Sequence, residues 1–158
     1  MGEVNNAVLD KYVANQVKRH PMADDRVNRQ LDELQVHNES LDLRAVRYSA
    51  HGQFVYNLQL VLENAGHLHD ARSDALHTSR EMLVRTCARK GWLLSRIGLV
   101  TNHVHLLLGC DVSDAPRDVA LSLMNNLAYA HGMKAVCTFS FYAGTFGNYD
   151  RDAIRRML

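Results

Sequence analysis

Residues 101–109, Thr-Asn-His-Val-His-Leu-Leu-Leu-Gly, constrain the fold more than any other stretch. Side chains alternate across a strand, so His103 and His105 share one face and Val104 takes the other. The leucines that follow leave no polar edge, which places this strand at the centre of a sheet, held rigidly from both sides. A protein built around it needs further strands on each side and apolar cover.

The flanks supply both. Residues 43–48 and 54–62 read as strands around a turn at Gly52. Phe54, Tyr56, Leu58, Leu60 and Leu62 alternate, so one face of the second strand is buried. A helix capped by Ser73 or Asp74 runs to Lys90, where Gly91 stops it. Residues 92–100 form the strand before the histidine segment. A helix over 116–131 follows it, then an extended stretch over 137–146 and a short helix over 150–158. Ahead of all this, residues 4–19 form a helix ended by Pro21. A second helix covers 24–36, with Asp24 or Asp25 as N-cap, and 37–42 are a connector. The expected class is α+β: an antiparallel sheet sandwiched by helices. One domain spans 1–158, with a helical pair over 1–41 before a core over 42–158.

Two imidazoles roughly 7 Å apart along a strand can converge on one metal ion. The same pair is equally at home as two solvated polar side chains. His67 and His69, in GHLHD, have the same spacing without a strand to hold them.

The segment NHVHLLLG resembles the His-hydrophobe-His motif of the single-tyrosine HUH transposases, the group with the small insertion-sequence and REP-associated enzymes. The likeness covers roughly residues 54–150, with a strand before the motif and a helix after it. It implies an HUH-endonuclease fold with a ferredoxin- or RRM-like core, and a nucleophilic tyrosine on a helix C-terminal to the motif. A glutamine or other polar residue four positions after that tyrosine can complete the metal site. Tyr129, Tyr142 and Tyr149 follow the motif, but none has a glutamine at that spacing.

The N-terminus does. Residues 10–20, DKYVANQVKRH, resemble the family's tyrosine helix with its Tyr-(Ile/Val)-x-Asn-Gln core, and residues 24–41 resemble the helix that follows it in longer members. The order is that of a circular permutation, with the final helix first; termini that lie close together at a surface make this physically reasonable. Periodicity points the same way. Val8, Leu9, Val13 and Val17 make an apolar stripe at 100° per residue, and Tyr12, Gln16 and His20 fall within it. A glutamine in a buried stripe needs a partner, since an unpaired buried amide costs roughly 1–3 kcal/mol. Tyrosine as plain core and glutamine reaching the rim is the competing account.

The resemblance makes Tyr12 the nucleophile and His103, His105 and Gln16 the metal ligands. Mixed nitrogen and oxygen donors with open positions suit Mg²⁺ or Mn²⁺. A tyrosine hydroxyl, with an ordinary pKa near 10, is a weak nucleophile unless the phosphate is polarised. Attack would give a 5′-phosphotyrosine and a free 3′-OH, on single-stranded DNA near hairpins. Family members commonly work as homodimers, some with the tyrosine helix donated in trans. His20 is a third ligand, a proton shuttle or a helix-end histidine that favours the dipole. Asn102 shapes the start of the strand.

The formal net charge is +1, so the chain is no polycation, but Arg80, Arg85, Arg89, Lys90 and Arg96 cluster, as do Arg151, Arg155 and Arg156. Arg85, Arg89 and Lys90 are candidates for DNA phosphates; a solvated helix face is the plainer account. Three cysteines, an odd number without a close pair, fit a reducing compartment, hence the cytoplasm. No apolar run is long enough to span a membrane and the N-terminus has no secretory pattern. Three rivals remain: a non-catalytic hairpin DNA- or RNA-binding module derived from a transposase, a metal-dependent hydrolase using bound water, and a structural helper.

Overall fold

A computed structural model describes residues 6–19, 24–65 and 73–147. Its elements, in chain order, are α1 (Asn6–Ala14), α2 (Gln16–Arg19), α3 (Asp25–Leu34), β1 (Val36–His37), β2 (Arg47–Ser49), β3 (Gly52–Phe54), β4 (Asn57–Asn64), α4 (Ser73–Lys90), β5 (Leu93–Leu99), β6 (His103–Gly109), α5 (Pro116–Ala130) and β7 (Cys137–Thr145). Five strands form an antiparallel sheet in the order β1-β5-β6-β4-β7, and β2-β3 are a separate hairpin. The histidine strand is central, as its apolar run requires.

Register follows from burial. Leu58, Leu60 and Leu62 of β4 pair with Leu108, Leu106 and Val104 of β6 and are fully buried. Together with Ile97 and Leu99 of β5 they meet Leu83 and Cys87 of α4 and Val119, Leu123 and Leu127 of α5. A one-residue slip of β4 would put Gln59, Val61 and Glu63 into that core in their place. Each leucine contributes about 1.5–3 kcal/mol by burial, so the slip is prohibited. The histidines are thereby committed to the opposite face. That face has its own smaller core, Leu9, Val13, Leu43, Leu107 and Phe146, with Tyr12 packed against it. The sheet is thus sandwiched as expected, with α4 and α5 on one side and α1 on the other.

Several boundaries differ from the sequence expectation. The first helix breaks at Asn15, whose side-chain amide donates to Lys11 O at 2.7 Å while its backbone N–H is shared between the Lys11 and Tyr12 carbonyls at 3.2 Å. An asparagine amide competes with the helix for its own carbonyls, and here it ends α1. Val8, expected in the stripe, is 63% exposed, because it lies about 100° round the helix from Leu9. Residues 54–62 are not one strand: the chain leaves β3 after Phe54 and enters β4 at Asn57. The strand expected over 43–48 shrinks to β2, and His37, expected in a connector, pairs with Arg96 in β1.

The helix ends behave as read. Asp24 caps α3 by accepting from the Arg26 N–H at 2.8 Å. Gly91, at φ +73°, lets Trp92 N–H reach back to Cys87 O at 3.0 Å and close α4. Cys87, Cys110 and Cys137 are buried free thiols, pushed up by burial to about 12, 12 and 11. No helix among the described residues is long and apolar enough to cross a membrane. His20, His67, His69, the helix expected over 150–158 and its arginines lie outside the described residues.

Candidate active site

The site is built where α1 and α2 lie across β5 and β6. His105 is paired with Gly98 on β5 and Val61 on β4, so all three share the face that α1 covers. His103, one turn of the pleat along, is half-buried and pairs with the exposed Glu63. The two imidazole centroids are 4.9 Å apart with planes at 68°.

The helix reaches this pair because Gly98 has no side chain. A Cβ there would sit 2.8 Å from Val13 Cγ1, 3.2 Å from Gln16 Cγ and 3.2 Å from the Val13 carbonyl oxygen. Glycine within a strand commonly marks such a close approach. Two residues earlier on the same face, Arg96 grips the helix from below. Its Nε donates to Asp10 Oδ1, its Nη2 donates to Asp10 Oδ2 at 3.0 Å, and Nη2 also meets His37 Nε2 at 3.0 Å. This forked pairing holds the Asp10 carboxyl below the usual carboxylate range; burial opposes it and the arginine hydrogen bond prevails.

With the helix so seated, Gln16 is fully buried and its Oε1 stands 3.3 Å from His103 Nε2. Its amide nitrogen has no hydrogen-bond partner in this interior. Tyr12, half-buried one turn earlier, meets His105 edge-on with ring centroids 5.6 Å apart. On the other side of His103, Nδ1 lies 2.8 Å from Asn102 Oδ1.

Two imidazoles and an amide oxygen are a mixed donor set that a divalent cation such as Mn²⁺ would accept. Ligands on adjacent corners of an octahedron with bonds of about 2.1 Å lie roughly 3 Å apart, close to the spacing of His103 Nε2 and Gln16 Oε1. No group of three or more His, Cys, Asp or Glu that could hold a metal ion is present among the described residues, so a metal here would rest on the two imidazoles and the Gln16 oxygen.

No family model matches the sequence, and no curated protein matches it. Solved structures do. A transposase candidate from Deinococcus radiodurans R1 superposes with a TM-score of 0.55 over 70% of this chain and 95% of that one, at 15% identity. The chain has a transposase fold. A second match, at TM-score 0.51 and 10% identity, is a REP-associated tyrosine transposase bound to a REP hairpin; it covers 65% of this chain and 61% of that one.

On this transposase fold, Tyr12, Gln16, His103 and His105 come together and Asn102 joins them through His103. Arg85, Arg89 and Lys90 do not. They are exposed on α4, and α4 packs on the opposite face of the sheet. Arg96, counted by sequence among the same basic cluster, is on the histidine face but only 13% exposed and already engaged by Asp10. Gly98, Asp10 and Arg96 as helix anchors were not found from sequence. A lone glycine inside a strand was the available signal for the first; an ion pair across 86 residues left none.

Proposed function

We propose that this protein nicks and rejoins single-stranded DNA beside hairpins, through a covalent 5′-phosphotyrosine on Tyr12. The observation that carries the reading is the convergence of Tyr12 and Gln16 with His103 and His105 on one face of a transposase-type sheet. That the helix bearing them comes first in the chain, yet covers the histidine strand, supports a circularly permuted order.

In this mechanism His103, His105 and the Gln16 oxygen would hold Mg²⁺ or Mn²⁺, which would supply Lewis-acid polarisation of the scissile phosphate. Tyr12 Oη attacks phosphorus, the Oη–P bond forms, and the P–O3′ bond breaks. The tyrosine proton passes to solvent, and the leaving oxygen takes a proton from solvent and departs as a 3′-hydroxyl. The phosphate ester is conserved in energy, so a second strand's 3′-hydroxyl can reverse the step without another energy source. The buried flank of Tyr12 against His105 orients the phenol for in-line attack. Hairpin DNA as ligand rests on the hairpin-bound neighbour; a homodimer is part of the proposal, as the resemblance of the histidine motif implies.

The deciding test mixes the protein with Mn²⁺ and a pool of labelled single-stranded hairpin oligonucleotides, then denatures it. A labelled band at the protein's mass, absent from Tyr12→Phe and His103→Ala, is expected. Hairpin binding that survives Tyr12→Phe, with metal bound and no wild-type adduct across the pool, would instead make the protein a non-catalytic hairpin-binding module.

A further inference from the structure

The face of the sheet that carries the histidines continues past them. His105 pairs with Val61 of β4, and Val61 pairs in turn with Tyr142 of β7. Directly opposed residues in an antiparallel sheet point to the same side, so Tyr142 stands on the histidine face. It lies two strands, or about 10 Å, from His105. The helices α1 and α2 pack on the β5 side of this face. The β4–β7 side is open: Val61 is half-buried, Glu63 and Ser140 are exposed, and Tyr142 is 57% exposed.

The Tyr142 side chain leans along its own strand. A Cβ on Gly144, two residues on and on the same face, would lie 2.8 Å from Tyr142 Oη, 3.2 Å from Cζ and 3.3 Å from Cε1. The phenol thus lies over a residue with no side chain, as aromatics that cover edge glycines do. The strand backs the ring from below, and the rest of the ring is turned to solvent. Beside it, Val61, Glu63, Ser140 and Phe141 complete a cleft of about 260 Å³.

The chemistry of this cleft selects its ligand. An exposed aromatic ring favours another flat ring, and every nucleobase offers a π face to stack on it. Glu63 is the charged residue of the lining; its carboxylate repels a phosphate and accepts from a base amino group. The sugar–phosphate chain is thereby turned away from the cleft and a base is turned towards it.

We propose that Tyr142 is a stacking platform for a base of the single strand whose scissile phosphate lies at the histidines. The inference rests on the single-stranded DNA reading above for its ligand, and on the sheet geometry alone for the platform. It gives Tyr142, which lacks the glutamine spacing of a nucleophile, a binding role.

The test compares two probes on the Tyr12→Phe background, where no adduct forms: hairpin oligonucleotides with a single-stranded deoxycytidine tail, and the same hairpins with an abasic tail. Tyr142→Leu keeps apolar cover on Gly144 but cannot stack. It is expected to weaken binding of the deoxycytidine tail by about 5–150-fold and to leave binding of the abasic tail unchanged. Tyr142→Phe, which keeps the ring, should bind both as the parent does. An equal loss for the two tails would make Tyr142 merely structural and overturns the proposal, as does no loss for either or no binding of either probe. The adduct assay with Tyr12 in place separates this from the nicking reading. A tail-dependent loss without any adduct leaves the platform standing and removes the nicking; an adduct together with unchanged binding in Tyr142→Leu does the reverse.

Discussion

Gly98 and Val13 touch where no side chain could stand between them: a Cβ on the glycine would lie 2.8 Å from Val13 Cγ1. Because Gly98 is the cross-strand partner of His105, the point of closest approach between helix and sheet is also the floor of the candidate site. Gly98→Ala is expected to push α1 and α2 outward. The overpacking costs about 1–3 kcal/mol, read as a lower urea midpoint. A displacement near 1 Å would lower adduct formation by about 10²-fold. Full activity in a folded Gly98→Ala protein would contradict this seating of the helix.

Gln16 should behave in the opposite sense. It is fully buried, its oxygen makes one stretched contact to His103 Nε2 and its amide nitrogen is unpartnered among the described residues, so the metal-free fold gains little from it. Gln16→Leu fills the same space without an orphaned group, and its metal-free stability should equal or exceed wild type by up to about 1–3 kcal/mol. Adduct formation should nevertheless fall at least about tenfold, since the proposed ligand oxygen is gone. Denaturation in chelator alongside the adduct assay separates the two effects. A Gln16→Leu protein that is less stable yet fully active would assign Gln16 to structure.

Asp10 ties α1 to Arg96 and brings a pH dependence. Its carboxyl titrates below the ordinary carboxylate range in the folded protein, first because of the hydrogen bond from Arg96. A folded-state value below the unfolded one contributes stability above the unfolded value, about 3.9, which is lost as pH falls through the folded value. The Asp10 side chain is 41% exposed, so the contribution is at most about 1 kcal/mol. Asp10→Asn should therefore destabilise modestly at neutral pH, and the gap should close as pH falls below the ordinary carboxylate range and through the folded-state value. A gap that persists at low pH would mean the loss arises from packing and not from charge.

The sequence disclosed those parts of the molecule that depend on local pattern. β6 begins at His103 and ends at Gly109 because alternation and apolarity coincide there, and the caps at Asp24 and Gly91 are properties of a few neighbouring residues. Tyr12 and Gln16 could be placed on one side because three and four residue spacings are short. What depended on contacts across the chain was hidden. Gln35 closes the β5 edge with its side chain, donating to Leu99 O at 2.8 Å and accepting from Leu99 N–H at 2.9 Å, which no pattern of strand residues encodes. Arg96 looked like one more surface cation, because counting charges does not reveal which are already paired. The helix break at Asn15 turned on the rotamer of one amide.

Tyr12, Gln16, His103 and His105 meet within a single polypeptide, pinned there by Gly98 and the Asp10–Arg96 pair. Dilution therefore does not dismantle this arrangement, as it would a site shared between subunits. A lone chain already holds Tyr12 and Gln16 beside both histidines.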